Sequence, residues 1–243
     1  MDAIRIENLT KQYKDVVAVD HLSLTVGQGE LFSLLGVNGA GKTTTIKMLS
    51  CLTKPTSGEA YLNGKSIQAE SAAVKSMVAV SPQETAVAPG LTVLENLELI
   101  CGVYGLPKEV RKDRIRRMTE LLDLGSVAGK KAGKLSGGWQ RRLSIAMALI
   151  SHPEILFLDE PTLGLDVIAR SELWDLIRSL KGKTTILMTT HYMEEAEALS
   201  DRVAIMKDGR LLICDTPAGI KDAAGKDSFG DAFIHMVKEG GTL

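Results

Sequence analysis

A glycine-rich segment at residues 36–43, with the letters GVNGAGKT, carries the clearest chemistry in the sequence. It follows the apolar run at 31–35 and precedes residues 44–49, which favour a helix. Glycines let the backbone turn and bring several N–H groups close to a phosphate chain. Lys42 would supply a positive charge for the β- and γ-phosphates, and the Thr43 hydroxyl can ligate magnesium. The segment therefore predicts a nucleoside triphosphate site, the alternative being an ordinary glycine-rich turn with a surface lysine.

Two adjacent carboxylates, Asp159 and Glu160, follow the short apolar run at 155–158. A magnesium–triphosphate site needs a carboxylate at the end of a neighbouring strand, which Asp159 can provide. Successive side chains of an extended chain point in opposite directions, so Glu160 is free to act on the attacking water. The alternative is an acidic pair that ends a strand, since Pro161 marks a loop there.

A second glycine-rich turn lies at residues 135–143, with the letters LSGGWQRRL. Ser136 is a good N-cap, and Gly137 and Gly138 expose N–H groups at the start of a helix, which makes the turn an anion site. One triphosphate fills one phosphate loop, so we expect this turn to serve a nucleotide held by another chain. Taken alone, the string favours an ordinary capped helix start.

The elements that must position these residues alternate between β-rich and helical stretches. Period-two patterns and the turn pairs Asn63-Gly64 and Asp208-Gly209 predict a mixed β-region wrapped around a parallel core. Thr92 and Glu95 form a possible capping box, after which helical spacing runs to about residue 124 as an insertion. The strand at 155–158, a helix with apolar residues at 173–180 and the strand at 185–188 predict a βαβ unit with parallel pairing.

Composition excludes several classes of protein. The chain has 243 residues, 44% of them hydrophobic and 24% charged, which suits one α/β unit with subdomains and excludes a largely disordered or coiled-coil chain. The formal net charge of -1 gives no overall attraction to nucleic acid or anionic lipid. We find no signal-peptide pattern at the start and no long apolar run, so we expect a soluble intracellular chain. Three separated cysteines predict reduced thiols, at Cys51, Cys101 and Cys214.

The motifs together resemble the nucleotide-binding domain of ATP-binding cassette (ABC) transporters. In order, the resemblance rests on Tyr13, residues 36–43, Gln83 after Ser81-Pro82, residues 135–140, Asp159-Glu160, Gly164-Leu165-Asp166 and His191. It implies an α/β fold: a P-loop NTPase (RecA-like) core with an N-terminal antiparallel β-subdomain and an inserted α-helical subdomain. The implied ATPase domain covers residues 1–215, with the helical subdomain at about 88–150, and 216–243 form a C-terminal extension.

The resemblance also implies a role for each site residue. Tyr13 would stack on adenine, Gln83 would contact magnesium and the attacking water, and His191 would bridge the γ-phosphate and the base Glu160. Asp166 would cross a subunit interface, and Ser136, Gly137 and Gly138 would grip the γ-phosphate of ATP on the opposite subunit. The implied magnesium ligands are Thr43, Gln83 and Asp159. The implied nucleotide-binding residues are Tyr13, Gly36, Asn38, Gly39, Ala40, Gly41, Lys42, Thr43, Thr44, Ser136, Gly137, Gly138 and Asp166.

A weaker resemblance concerns the type of machine. Residues 82–84, 89–97, 164–166 and 229–234 are similar to those of ATPases from bacterial type-2 exporters. This implies an active ATPase that uses ATP and Mg²⁺ and pairs as a homodimer or heterodimer. The pair would power export through separate membrane-spanning subunits, at the cytoplasmic face of the cell membrane.

Other function classes fit the sequence less well. A soluble cassette ATPase acting on ribosomes or DNA usually has two motor domains or long insertions, which this sequence lacks, so we expect no nucleic acid partner. A non-transporting mechanical regulator of a membrane protein stays open as an alternative. A GTPase is disfavoured because no Asn-Lys-x-Asp string reads guanine.

Overall fold

Residues 2–239 are described in a computed structural model, and within them the chain forms ten strands and nine α-helices. The strands are β1 (Asp2–Tyr13), β2 (Val16–Gly27), β3 (Leu31–Leu35), β4 (Ser57–Leu62), β5 (Lys65–Ser66), β6 (Val78–Ser81), β7 (Ile155–Asp159), β8 (Thr185–Thr190), β9 (Arg202–Lys207) and β10 (Arg210–Asp215). The helices are α1 (Lys42–Leu49), α2 (Ser71–Met77), α3 (Val93–Val103), α4 (Lys108–Leu121), α5 (Gly137–Leu149), α6 (Val167–Leu180), α7 (Met193–Leu199), α8 (Pro217–Ala224) and α9 (Phe229–Glu239).

The smaller sheet is antiparallel, with strand order β2-β1-β4-β5. Along β2, Leu22, Leu24 and Val26 are buried while the residues between them are exposed, as expected for a sheet with one solvated face. The predicted turn at Asn63-Gly64 joins β4 to β5, and both residues have positive φ, 45° and 79°. A two-residue loop with this backbone matches the twist of the flanking strands.

The larger sheet carries the site. Its order is β10-β9-β3-β8-β7-β6, with parallel pairing from β9 to β6 and an antiparallel edge strand β10. Every residue of β3, β7 and β8 is buried, because other layers cover both faces of the sheet. The predicted βαβ unit is present as β7-α6-β8, and the Asp208-Gly209 turn joins β9 to β10. The predicted α/β fold class, with a parallel core and an antiparallel β-subdomain, is confirmed.

The helical insertion begins with the predicted capping box. Thr92 Oγ1 accepts a hydrogen bond from the Glu95 N–H at 3.2 Å, and Glu95 Oε2 accepts one from the Thr92 N–H at 2.7 Å. The buried side of α3 differs from the predicted face. Leu97 and Cys101 are buried, but Leu94 is exposed, because α3 packs through the adjacent stripe that includes Val93 and Asn96. Tyr104, predicted on the same face, is also exposed.

Three apolar clusters hold the layers together. The first packs the four helices α3, α4, α5 and α6 against one face of the larger sheet. The second lies between the two sheets. The third packs α8 and α9 against β9 through side chains that include Ile220, Phe229 and Phe233. The domain boundaries at 88–150 and 216–243 stay predictions, and Met1 and residues 240–243 lie outside the described residues.

Cys51, Cys101 and Cys214 are unpaired thiols, as predicted. Among the helices within residues 2–239, none combines the length and the apolar character that a membrane span requires.

Candidate active site

The loop at residues 36–43 connects β3 to α1 at the carboxyl edge of the larger sheet. Two of its glycines are required by close packing. A Cβ on Gly41, whose φ is +97°, would lie 2.4 Å from the carbonyl oxygen of Ala18. A Cβ on Gly36 would lie 2.5 Å from the carbonyl oxygen of Met206. The loop can therefore keep this shape only with glycine at these positions. Glycine has no side chain, so a phosphate chain can approach the N–H groups at the start of α1.

The Lys42 side chain folds back over the loop. Its Nζ donates hydrogen bonds to the carbonyl oxygens of Gly36 at 2.7 Å and Val37 at 3.2 Å. The same atom lies 3.5 Å from Glu160 Oε1. Burial lowers the pKa of Lys42 from its ordinary value, and the Glu160 carboxylate partly offsets this effect. The ammonium group is thus held at the loop that would hold phosphates.

Asp159 collects hydroxyl groups from two other elements. Its Oδ1 accepts hydrogen bonds from Thr43 Oγ1 at 3.0 Å, on α1, and from Thr189 Oγ1 at 2.5 Å, on β8. A hydroxyl and a carboxylate oxygen therefore converge at the end of β7. Magnesium prefers hard oxygen ligands and usually needs only one or two from the protein, so this donor set fits the ion. Thr43 and Asp159 lie together as the sequence predicted.

Glu160 leaves the strand through a left-handed turn. Its φ is +47°, and its N–H lies 3.1 Å from the Thr189 carbonyl oxygen and 3.0 Å from Thr189 Oγ1. Strand alternation predicts different directions for Asp159 and Glu160, but the chain is no longer extended at Glu160. This turn, which Thr189 stabilises, directs the two carboxylates to different partners.

His191 lies at the end of β8 and pairs with the predicted base. Its Nδ1 is 2.9 Å from Glu160 Oε2, and its ring contacts that of Tyr192 with centroids 4.1 Å apart. Glu160 is 7% exposed, so its carboxylate sits almost wholly between Lys42 and His191. A carboxylate held this way keeps a fixed direction, as a general base requires.

A cleft of about 600 Å³ opens above these residues. Gln83 lines it and is exposed, on the loop after β6. The predicted nucleotide-binding residues that also line the cleft are Asn38, Gly39, Ala40, Gly41, Lys42, Thr43 and Thr44. Gly36 lies buried at the base of the loop. The cleft therefore brings together the phosphate loop, Gln83 and the base Glu160.

The opposite wall of the cleft differs from the sequence argument. Tyr13 is not among the lining residues, and its ring instead faces the Lys11 ammonium group, 4.8 Å from the ring centroid. Val16 and Val17, at the start of β2, line the wall. These two residues were not predicted, although two adjacent valines that break strand alternation are a detectable signal in the sequence. Asp208, in the β9–β10 turn, also lines the cleft and was missed.

The second glycine-rich turn lies apart from the cleft. Ser136 occupies the N-cap position of α5 as predicted, but its side chain makes no capping hydrogen bond and is exposed. An added Cβ on Gly138 would lie 3.1 Å from the Cβ of Ala169, so α5 and α6 approach closely here. Asp166 caps α6 by accepting a hydrogen bond from the Ala169 N–H at 2.9 Å. Ser136, Gly137, Gly138 and Asp166 therefore share one surface.

Comparison with known proteins places the chain in a family. Residues 19–163 match the family model described as "ABC transporter". The chain is 42% identical over 222 residues to Nod factor export ATP-binding protein I of Burkholderia pseudomallei (strain 1710b). This match covers 90% of this chain and 73% of that protein. It is 38% identical over 242 residues to the probable multidrug ABC transporter ATP-binding protein YbhF of Escherichia coli (strain K12), over 97% of this chain.

Some relatives are much longer than this chain. It spans 42% of YbhF, and 10% of ATP-binding cassette sub-family A member 2 of Rattus norvegicus, to which it is 43% identical over 243 residues.

Among solved structures, the chain resembles a dimeric post-hydrolysis state of the ATP-binding cassette MJ0796 bound to ADP and Pi. The TM-score is 0.78 at 29% identity, over 88% of this chain and 98% of that one. The chain belongs to the ABC transporter family and is an ATPase domain of that family.

Proposed function

We propose that this chain hydrolyses Mg²⁺-ATP in the cleft above the phosphate loop and powers export through separate membrane-spanning subunits. The carrying observation is the Glu160 carboxylate, held between Lys42 and His191 at the edge of that cleft. A carboxylate in this place can accept a proton from an attacking water. Lys42 and the loop N–H groups would hold the phosphates, and Gln83 would orient the water from the cleft wall.

Thr43 and Asp159 would hold the magnesium ion, together with Gln83. Bound magnesium neutralises charge on the phosphate oxygens. His191 holds the base from the side opposite Lys42 and would in turn contact the γ-phosphate. Tyr13 stays a proposed adenine contact. Its antiparallel strand neighbour Val16 lines the cleft, so Tyr13 lies next to the wall where we propose that the adenine base binds.

The surface formed by Ser136, Gly137, Gly138 and Asp166 supports a dimer. These residues expose an uncapped helix start but do not line the cleft. Two chains arranged head to tail would each place this surface over the nucleotide of the other, as a homodimer or with a close relative. The dimeric arrangement of the similar MJ0796 cassette supports this proposal. Closure over ATP would then be driven by the higher affinity of the closed state.

A groove beside the Gln83 loop supports docking of membrane subunits. It is lined by apolar side chains of the loop, α3 and α5, among them Pro82, Ile100 and Val103. Val103 is 73% exposed and Tyr104 is 45% exposed, although both are large and apolar. A helix of a membrane subunit would cover them at the cytoplasmic face of the membrane. The export direction is proposed because the similar proteins include a Nod factor export protein and a probable multidrug transporter protein.

The test uses Glu160→Gln with Glu194→Gln as the matched control, because Glu194 is an exposed acid just after His191. We expect Glu160→Gln to lower the ATPase kcat by about 10²-fold or more, while ATP still binds. The control should keep wild-type turnover. Tagged Glu160→Gln protein, purified from detergent-solubilised membranes of its host, should bring down a multi-spanning membrane protein. Wild-type turnover in Glu160→Gln would refute the base assignment, and recovery of ribosomes or nucleic acid would refute the transport role.

A further inference from the structure

Arg141 is a buried cation on the first turns of α5 whose hydrogen bonds leave the helix. Its Nη1 donates to the carbonyl oxygen of Pro82 at 2.6 Å, and its Nη2 donates to that of Gln83 at 2.5 Å. The residue is 4% exposed. A guanidinium group presents a rigid planar fork of donors, so two bonds to consecutive carbonyl groups fix both the position and the tilt of the loop.

The charge of Arg141 is balanced from the catalytic side of the molecule. Burial lowers the pKa of Arg141, and the negative charges of Asp159 and Glu195 oppose that shift. Asp159 is the carboxylate proposed to hold magnesium. A buried cation is expensive unless it is well hydrogen-bonded and compensated, so this side chain is a costly way to hold a loop. The free-energy cost of burying this guanidinium group has a clear reason if the position of the Gln83 loop matters for the reaction.

Neighbouring contacts extend this attachment along the loop. One turn beyond Arg141 on α5, Ser144 Oγ lies 3.0 Å from Ser81 Oγ. At the far end of the loop, the buried Asn96 of α3 accepts a hydrogen bond from the Ala88 N–H at 2.8 Å and donates one to the Ala88 carbonyl at 3.1 Å. The loop is therefore attached to α5 at its start and to α3 at its end.

We propose that Arg141 is a positioning residue that couples the start of α5 to Gln83. Both Arg141 bonds are to main-chain carbonyls, which leaves the Gln83 amide free to face the cleft. A nucleotide of the partner chain that docks at Ser136–Gly138 would shift α5, and Arg141 would carry that shift to Gln83. This inference rests on the proposed function, in which Gln83 and the turn at the start of α5 each contact a bound nucleotide.

Substitutions separate this role from a general effect on stability. Arg141→Met removes both donors, so the carbonyl oxygens of Pro82 and Gln83 lose these hydrogen bonds. Arg141→Lys keeps the charge but loses the fork. Arg114 supplies the matched control, because its Nη1 donates to the carbonyl oxygen of Ile150 at 2.8 Å, beyond the opposite end of α5. Arg114→Met therefore removes the same kind of bond far from Gln83.

The experiment measures kcat and KM for Mg²⁺-ATP, the melting temperature and amide hydrogen exchange of residues 82–88. We expect Arg141→Met to lower kcat by roughly 10- to 100-fold through misplacement of Gln83, with little change in KM. Amide exchange should rise at 82–88 and stay unchanged in the phosphate loop. Arg141→Lys should recover part of kcat, and Arg114→Met should keep wild-type kcat.

Three outcomes would overturn the coupling role. They are a kcat of Arg141→Met close to wild type, an equal loss of kcat in Arg114→Met, and unchanged exchange at 82–88. Failure of the proposed function would give a different result. The wild-type protein would then either lack ATPase activity or have an activity that Glu160→Gln leaves unchanged. The exchange comparison between Arg141→Met and wild type does not depend on ATPase activity, so it tests the attachment in either case.

Discussion

At the scale of single residues, the site depends on a few polar side chains that serve two partners. Thr189 Oγ1 donates to Asp159 and accepts from the Glu160 N–H, so one buried hydroxyl orients both the proposed metal ligand and the base. Glu160 in turn faces both Lys42 and His191. Lys42, Asp159, Glu160 and Thr189 are all buried, which makes these shared contacts sensitive to the charge of each member.

The lowered pKa of Lys42 predicts a pH dependence of nucleotide binding. Because its pKa lies below the ordinary lysine value, Lys42 loses its charge at a lower pH than a surface lysine, and phosphate affinity falls there. Once the pH passes this pKa, we expect ATP affinity to fall by up to about tenfold per pH unit, with proton uptake on binding.

Titration calorimetry in buffers of different ionisation enthalpy measures both the affinity and the proton uptake. Glu160 opposes the shift, so in Glu160→Gln the loss of affinity should begin at a lower pH. Tryptophan fluorescence across the same pH range is the control for unfolding. An affinity that stays constant up to the ordinary lysine pKa in folded protein would contradict the prediction.

At the scale of elements, the carboxyl edge of the parallel sheet assembles the site. The phosphate loop follows β3, the acidic pair lies at the end of β7 and His191 follows β8. These three strands are adjacent, because the order of the sheet runs β3-β8-β7. Ligands of open α/β sheets bind at this edge, where the carboxyl ends of neighbouring strands meet. The antiparallel sheet contributes the opposite wall through the start of β2.

The antiparallel sheet makes a prediction about stability alone. Gly58 has a φ of +78°, and a Cβ there would lie 2.1 Å from the Asn8 carbonyl oxygen. Gly64 has nearly the same φ, +79°, but open space around it. Gly58→Ala should therefore destabilise the protein by more than Gly64→Ala, for which we expect about 1 kcal/mol of backbone strain. Urea unfolding of the two variants measures the difference, and equal losses would show that the Asn8 contact is irrelevant.

At the scale of the whole molecule, the nucleotide cleft and the glycine-rich turn at the start of α5 are two separate surfaces of the chain. Within one chain the Ser136–Gly138 turn does not line the cleft, so under the proposed function a complete site would need a second copy or a close relative. The Arg141 contacts to the Gln83 loop join these two surfaces inside the chain. Closure over one nucleotide would in this way change the position of Gln83 at the other nucleotide.

The dimer prediction uses mass as its measurement. With Mg²⁺-ATP, Glu160→Gln protein should double its mass from the 26.2 kDa of one chain, in light scattering after size exclusion. Adding Gly137→Asp places a negative charge at the exposed start of α5, where it repels phosphate, so the mass should stay that of one chain. Gly129→Asp is the matched control, since Gly129 is exposed and has open space around it. A dimer that survives Gly137→Asp would contradict the head-to-tail arrangement.

Local chemistry was readable from the sequence alone because it depends on residues close together in the chain. The phosphate loop, the Thr92–Glu95 capping box and the Asp208-Gly209 turn each lie within a few residues, and glycine placement or capping geometry indicates them directly. The order of the motifs likewise identified the family. The βαβ unit followed from the spacing of its apolar residues.

Only the tertiary structure decided which distant residues meet. Thr189 reaches Asp159 across 30 positions, and Arg141 reaches the Gln83 loop across 58. Val16 and Val17, rather than Tyr13, line the cleft because of how the two sheets pack. Strand order and helix packing decide such contacts, and hydrophobic burial drives both without regard to sequence separation. The sequence determined the chemistry that is available, and the packing of sheets and helices determined which groups share a site.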